Sequence, residues 1–314
     1  MTLLPMSVQE LCESVRSSRA FDRSRLDRVL GVDTARALVE VQAAVTWKTL
    51  AAHLRPGDSQ AQALRTARAT IGDSIAWNAA GPDGRPTVIH VEALTMVTPD
   101  GQLRRLNRLA NPALFALAVG GQHLFGVMYS VTLRIDSLAR AVSEAAAVQT
   151  LLKEKNDLMA RRSLRLLVPP EQAPALLEEA RERCAQWRVP LSCVELRPIR
   201  CETETFLRWA RRDYAELSLR LGRSSTLGSA VRTTQLTREL IDAAIARGGT
   251  FPIACTPEAT RDQARACYPE LASFLAEHHR LDPGDRMANA WLRHHRSLLT
   301  RQDCEVRFGH HAEP

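Results

Sequence analysis

Hydrophobic and polar positions alternate between strand and helix periods in the first half of the chain. Residues 37–41 (ALVEV) form a short apolar run that predicts a strand, and Thr46 precedes a segment, TWKTLAAHL, with helical spacing. Residues 89–97 (IHVEALTMV) alternate and end at Pro99-Asp100-Gly101, a combination typical of a tight turn. The pattern therefore predicts a strand, a helix and a second strand in this order.

The same half contains a second helix–strand pair. Asn111-Pro112 predicts a short helix with Asn111 as its N-cap and Pro112 in the first helical position. This helix runs into Gly120-Gly121, and Gly126 precedes a further strand, VMYSVTLRI, at residues 127–135.

Beyond Pro169-Pro170 the pattern becomes more regular. Strands and helices alternate, which predicts an α+β layer with helices packed on one face of an antiparallel-type sheet. A boundary between two domains is expected within residues 136–162. The predicted strands are 163–168, 194–199, 215–221 and 251–255, and the predicted helices are 176–187, 205–211, 236–245 and 261–280.

Composition narrows the class of protein. The chain has 314 residues, of which 45% are hydrophobic and 25% are charged, as in ordinary globular proteins and unlike disordered, collagen-like or disulfide-stapled chains. This length is typical of two domains. No apolar run approaches the ~20 residues that cross a bilayer, and no basic segment precedes an apolar stretch at the start. We therefore expect a cytoplasmic protein without a membrane span.

Charge, cysteine and histidine patterns exclude several functions. The net charge is +7, and 39 of the 42 basic residues are arginines scattered among few aromatics, so we expect no nucleic-acid partner. The seven cysteines form no CxxC pair, which predicts buried free thiols in a reducing compartment. Adjacent histidine pairs point in different directions on a helix and seldom chelate one ion. No metal site is predicted.

Two stretches resemble the vanillyl-alcohol-oxidase type of FAD-linked oxidoreductases. In residues 70–135, TIGDSIAWNAAGPDG, a TPDG turn, an NPALF helix and GGQHLFGV follow the order of the PCMH-type FAD-binding domain. The segment LVEVQAAVTWKTL (38–50) fits the strand and helix before them. Residues 194–299, ending in CYPELASFLAEHHRLDPGDRMANAWLRHHRSLL, resemble the substrate-side domain of the same oxidases.

The resemblance implies a fold, a cofactor and a set of site residues. It implies a mixed α/β PCMH-type FAD-binding domain over residues 1–137, shortened near its N-terminus, and a shortened α+β substrate or cap domain over residues 138–314. The implied cofactor is FAD, which accepts a hydride from a hydroxyl-bearing small molecule. The implied cofactor-binding residues are Thr70, Ile71, Gly72, Ser74, Asn78, Gly120, Gly121, Gly126 and Val127.

The chain departs from the family pattern where the cofactor would bind. The RGxGHS-type loop, whose backbone N–H groups cradle the diphosphate, has no counterpart between SVRSSRA and FDRSRLDRVL. The second loop carries Gly72-Asp73 in place of two glycines, which would bring a carboxylate close to the diphosphate. The NxHG motif is replaced by NAAG at residues 78–81, and His123 stands where the family has glycine.

The substrate side has lost polar residues in a similar way. Arg197, Arg293 and His294 match family positions and are the candidate catalytic residues, although a salt bridge would explain Arg197 equally well. Positions that pack the family fold are retained, among them Trp209, Tyr268 and Trp291. For His90 and His123 a structural role is favoured over a chemical one.

Three functions are open at this point. The chain is an FAD-linked oxidoreductase with weak or altered activity, a flavin-free homologue that serves as a binding, regulatory or partner subunit, or a non-redox enzyme in a recast pocket. The expected partner is a small-molecule substrate or another protein. The resemblance favours an FAD-linked oxidoreductase, whereas the missing phosphate loop favours loss of activity.

Overall fold

The computed structural model describes residues 7–17, 22–54, 69–81, 83–143, 149–153, 162–222 and 226–299. The chain divides into two compact units. The first comprises the described residues up to position 145, residues 202–208 and the described residues from position 272 onward. The second comprises the described residues of 146–201 and of 209–271.

The first unit is built on an antiparallel sheet. Within the described residues its strand order is β1-β2-β5-β3-β4, so each neighbour is joined by antiparallel pairing. The central strands are buried and apolar, whereas β1 is an exposed edge. The strands are β1 (Val29–Asp33), β2 (Leu38–Gln42), β3 (Val91–Val97), β4 (Leu103–Leu106) and β5 (Val127–Arg134).

Helices of this unit cover the sheet. Leu11, Cys12 and Val15 of α1 pack with Val97 and Val127 in one buried apolar cluster. The helices are α1 (Val8–Arg16), α2 (Trp47–Leu54), α3 (Ile71–Ala76), α4 (Pro112–Ala118) and α5 (Ile135–Ser143). Two helices near the end of the described chain, α9 (Leu271–Leu281) and α10 (Ala290–Leu298), also belong to this unit, except that Leu271 is the last residue of the second unit.

Most elements predicted in the first half are confirmed. Thr46 caps α2, since its hydroxyl accepts from the Thr49 N–H at 3.1 Å, and residues 98–102 form the predicted turn. Asn111 occupies the predicted N-cap position and Pro112 begins the helix, but the Asn111 side chain makes no capping bond. Asn111 adopts a left-handed conformation (φ 55°), and its side chain donates to the Arg105 carbonyl instead of accepting from the helix.

The second unit contains an antiparallel sheet with strand order β6-β8-β9-β7 among the described residues. Helices α6 and α7 contact one another and the strands β9 and β7, so the predicted α+β class with antiparallel sheets is confirmed. The strands are β6 (Gln149–Lys153), β7 (Arg162–Val168), β8 (Leu191–Ile199) and β9 (Tyr214–Leu221), and the helices are α6 (Ala173–Gln186), α7 (Leu227–Ala246) and α8 (Arg261–Cys267).

The helix predicted over residues 205–211 is absent, since that segment has no regular structure. The buried carboxylate of Glu202 accepts from the Glu204 and Thr205 N–H groups, and the Phe206 N–H donates to the Ala116 carbonyl. These bonds hold the start of the segment in the irregular conformation that the structure shows.

Two further predictions in the second half were wrong. Residues 251–255 form turns and not a strand, because Pro252 cannot donate to a ladder and only Thr250 bridges to Leu167 among the described residues. The helix predicted over 261–280 is divided into α8 and α9 at Tyr268-Pro269, because proline lacks an N–H and disfavours helical geometry in the residue before it.

Other expectations concern thiols and surfaces. Of the cysteines in the described residues, Cys201 and Cys255 are exposed, so the prediction of buried thiols fails for these two. Cys304 lies outside the described residues. No helix in the described part of the chain has the length and apolarity needed to traverse a membrane. The same residues contain no group of three His, Cys, Asp or Glu side chains arranged around a metal position.

Candidate functional site

A cavity of about 390 Å³ lies in the first unit, beside the first turn of α3. Three stretches that are distant in sequence form its wall together with His123: residues 22–24 before β1, residues 43–44 after β2, and residues 70, 72 and 73 at the start of α3. The antiparallel β2–β5 pairing and the docking of α3 on the end of β2 bring these stretches together.

A chain of three polar side chains crosses this wall. Arg23 Nη1 lies 3.1 Å from His123 Nδ1, and His123 Nε2 lies 3.0 Å from Asp73 Oδ1. Because a guanidinium can only donate, Nδ1 is the acceptor and Nε2–H donates to the carboxylate. Asp73 thus fixes the tautomer of His123, and His123 orients Arg23.

The charges of this chain follow from its hydrogen bonds and burial. The hydrogen bond from His123, aided by Thr70 and Arg23, lowers the pKa of Asp73 to about 2. Burial lowers the pKa of His123, and the nearby Arg23 adds to this effect, whereas the bond to Asp73 opposes it. At neutral pH the wall therefore presents an ionised Asp73 and a neutral His123.

His123 occupies a backbone conformation that histidine seldom adopts. Its φ is 61° and that of Gln122 is 55°, so two consecutive residues other than glycine are left-handed. Such a conformation costs on the order of 1 kcal/mol for a residue with a Cβ and is concentrated at functional sites. The bonds to Arg23 and Asp73 help to hold the side chain in place.

Two of the residues implied for cofactor binding line the cavity. Thr70 is the N-cap of α3, with its hydroxyl accepting from the Asp73 N–H at 3.1 Å, and Gly72 faces the end of β2. A Cβ on Gly72 would lie 2.8 Å from the Ala43 carbonyl oxygen, so its glycine is required by packing. Ile71 is fully buried, and the Ser74 hydroxyl accepts from Trp47 Nε1 at 2.8 Å.

The remaining implied residues lie within the packed interior. Asn78 is buried, accepts from the Val88 N–H at 3.0 Å and donates to Glu202 at 3.3 Å. A Cβ on Gly121 would collide with the Leu117 carbonyl. The others have similar surroundings: Gly120 donates its N–H to Ile75, Gly126 abuts the end of β3, and Val127 belongs to the apolar cluster of α1.

Arg197 lies in the second unit, within an ion-pair cluster on the sheet. Its Nε is 3.0 Å from Glu216 Oε1, and Arg165 pairs with the other oxygen of that carboxylate. Glu216 is 1% exposed, and although burial opposes its ionisation, the two arginines outweigh it and lower its pKa to about 2. The salt-bridge interpretation of Arg197 matches this geometry.

The other two catalytic candidates lie on α10 in the first unit. Arg293 is exposed, and His294 Nε2 is buried with no hydrogen-bond partner among the described residues. The neighbouring His295 stacks on Trp291 with ring centroids 3.9 Å apart, and burial lowers its pKa to about 4. Arg197 and the α10 pair belong to different units, and neither lines the cavity beside α3.

The comparison with known families matches the first unit. Residues 9–107 match the family model described as an FAD binding domain, which supports an FAD-binding oxidoreductase family. This span includes residues 22–24, 43–44 and 70–73 of the cavity wall. Among curated proteins, none matches the chain.

The described cavity wall does not fit the diphosphate of FAD. A diphosphate is normally held by backbone N–H groups that point into its site. Here five wall N–H groups already donate to protein oxygens: Ser24 to Asp22, Ala43 to Tyr129, Ala44 to Leu26, Gly72 to Ala43, and Asp73 to Thr70. In addition, the carboxyl groups of Asp22 and Asp73 line the same space and would repel a dianion.

Sequence reasoning missed the central residues of this site. Arg23 is 100 positions from His123 and belongs to no motif, so no local pattern connects the two. In the sequence, Asp73 and His123 were singled out separately, as residues that stand where the resemblance implies glycine, without being related to each other. Taken together, those two replacements indicate a carboxylate–imidazole pair.

Proposed function

We propose that this chain is a flavin-free member of an FAD-binding oxidoreductase family, acting as a binding, regulatory or partner subunit through the cavity beside α3. One observation carries the proposal: five N–H groups of the described wall, those of Ser24, Ala43, Ala44, Gly72 and Asp73, are bonded within the protein and are not free to hold a diphosphate. The carboxylate of Asp73, held ionised by His123, adds repulsion in the same space.

Equilibrium dialysis of the purified chain against FAD tests this proposal. We expect no saturable binding, an unchanged flavin fluorescence and an unchanged melting temperature, because a ligand that binds only the folded state raises that temperature. Bound flavin in the purified protein, or a dose-dependent rise in melting temperature, would contradict the proposal.

The variant Asp73→Gly separates the two obstacles to flavin. It removes the carboxylate and leaves the bonded N–H groups of Ala43 and Gly72 in place. We expect it to bind FAD no better than the natural chain. Binding by Asp73→Gly alone would assign the exclusion of flavin to the carboxylate and not to the occupied donors.

A second function, FAD-linked oxidation of a hydroxyl-bearing small molecule, is favoured by the family match over residues 9–107. In that chemistry the flavin takes a hydride while a base takes the hydroxyl proton. Flavin that copurifies with the chain and is bleached by a hydroxyl compound without oxygen would establish it. Recovery of a second family member in a pull-down would instead favour the partner-subunit role.

A further inference from the structure

Arg23 lines the cavity, and its guanidinium is bonded at one nitrogen within the described residues. Its Nη1 donates to His123, whereas Nε and Nη2 have no hydrogen-bond or ion-pair partner within the described ranges. These two groups carry parallel N–H bonds on the opposite edge of the planar group. We call these two parallel donors the fork of Arg23. The two oxygens of a carboxylate can accept from both, in two charge-assisted hydrogen bonds.

The orientation of this edge is fixed before any ligand arrives. Asp73 holds His123 at 3.0 Å, and His123 holds Nη1 of Arg23 at 3.1 Å. A flexible arginine normally loses rotamer freedom on binding, and a guanidinium that is already anchored loses less. The left-handed backbone at His123 is retained although glycine would adopt it more readily, which is consistent with a role for the imidazole.

The wall carries more negative than positive side chains, so it opposes a dianion more strongly than a monoanion. Arg23 is the one cation among the residues that the structure shows lining the cavity, since His123 is neutral, whereas Asp22 and Asp73 are carboxylates. A phosphate, with a charge of about −1.5 to −2 at neutral pH, would meet two like charges for one opposite charge. A carboxylate carries a single charge and needs one fork, so a monoanion fits better than a dianion.

We propose that the cavity binds a small organic carboxylate, bidentate on the Nε and Nη2 edge of Arg23, with His123 and Asp73 as positioning residues. This inference rests on the proposed function, because flavin would occupy the same cavity. No bond is made or broken in this step. The volume of about 390 Å³ accommodates a small molecule in addition to the carboxylate group.

Side-chain NMR of the full chain tests the proposal directly. The Nε–H signal of Arg23 is followed during titration with acetate and benzoate, and separately with inorganic phosphate, at constant ionic strength. We expect saturable shifts with the carboxylates. Arg23→Lys keeps the charge but loses the paired N–H donors and the Nε–H signal, so its affinity is compared through the His123 ring signals and should be at least about tenfold lower. The exposed, neighbouring Arg28→Lys is the matched control and keeps the affinity of the natural chain.

The two positioning residues, Asp73 and His123, are tested by their own variants. Asp73→Asn and His123→Gly are expected to weaken carboxylate binding several-fold and to broaden or shift the free Arg23 signal, while the melting temperature confirms that each variant folds. The proposal is overturned by three results: equal affinity of Arg23→Lys and the natural chain, phosphate binding tighter than acetate, or no saturable binding of either carboxylate.

FAD titrations of the same samples distinguish this inference from the function on which it rests. If FAD binds and displaces benzoate, the flavin-free function fails while the carboxylate fork at Arg23 stands. If neither FAD nor a carboxylate binds, the fork fails and the flavin-free function stands.

Discussion

Two charged clusters, one in each unit, both contain a carboxylate and arginine. They differ in how far the carboxylate is exposed. In the second unit, Glu216 is 1% exposed and both of its oxygens are paired with arginines, Arg165 and Arg197. In the first unit, the side chain of Asp73 is 38% exposed and reaches Arg23 only through His123. The Glu216 cluster is closed, because both carboxylate oxygens are paired. The Asp73 cluster is open, because Arg23 lines a cavity and has no partner at Nε or Nη2 among the described residues.

The difference shows how burial divides charged residues between structure and binding. A buried carboxylate must be fully paired, because an unpaired charge in a dry interior costs several kcal/mol. A half-exposed carboxylate is solvated by water, so its partners contribute little to stability and remain available to a ligand. Arg197 was singled out as a catalytic candidate, but its geometry is that of the closed cluster.

The largest expected effect is on the stability of the second unit. Glu216→Ala leaves two arginines without their shared carboxylate, so we expect a loss of about 3–5 kcal/mol in the free energy of unfolding. Urea denaturation measures it. The control is Glu195→Ala, which removes a half-exposed partner of Arg220 and should cost no more than about 1 kcal/mol. If Glu216→Ala and Glu195→Ala lowered the free energy of unfolding equally, the distinction between a buried and a half-exposed carboxylate would fail.

Acid should weaken the closed cluster in a defined range of pH. The pKa of Glu216 is about 2 in the folded chain and 4.5 for an unperturbed glutamate. Its contribution to stability is therefore complete above about pH 4.5 and is lost as the pH falls toward 2. Urea midpoints between pH 6 and pH 3 should decline, and carboxyl-carbon NMR should show no titration of Glu216 above about pH 3. A Glu216 midpoint near 4.5 would contradict the buried pairing.

A smaller effect is expected at the open cluster. Asp73→Asn should lower the free energy of unfolding by about 1 kcal/mol or less, because solvent screens a carboxylate with this exposure. Glu92→Gln, which changes a similarly exposed partner of Arg134, is the matched control in urea denaturation. A loss comparable to that of Glu216→Ala would mean that Asp73 serves folding and not a ligand.

The last prediction concerns the pKa of His123, where the expected effect on stability is the smallest and the signal is the most specific. Arg23 lowers the pKa of this imidazole and the bond to Asp73 raises it, with burial as the larger influence. Proton NMR should therefore show a higher pKa of His123 in Arg23→Gln and a lower one in Asp73→Asn. If the pKa of His123 moved in the same direction in both variants, the hydrogen-bond chain from Arg23 through His123 to Asp73 would be contradicted.

Local sequence patterns predicted the elements whose own residues define them. The strands at 38–42, 91–97 and 127–134 follow from buried apolar positions, and α2 follows from Thr46 and the helical spacing after it. Predictions failed where side chains redirected the backbone. Bonds from Thr205 to Glu202 and from Phe206 to Ala116 hold the start of segment 205–211 in an irregular conformation, and Pro269 divides a helical pattern that otherwise continues.

The candidate site was less predictable than the fold. Of the residues implied by the family pattern, Thr70 and Gly72 line the cavity, and the others pack in the interior, as Gly121 does against Leu117. Asp73 and His123 were visible as departures from glycine, but their pairing across 50 positions was not. Arg23 had no sequence signal at all.

By itself, the sequence predicted the α+β class, the strands around residues 91–97 and 127–134, and the resemblance to a flavin-binding family. These properties reside in contiguous residues, whose periodicity and motifs are local. Only the tertiary structure decided which backbone N–H groups were already bonded and which charges met in one cavity. Hydrogen bonds and burial join residues such as Arg23 and His123 that are far apart along the chain, so their chemistry exists only once the sheet brings them together.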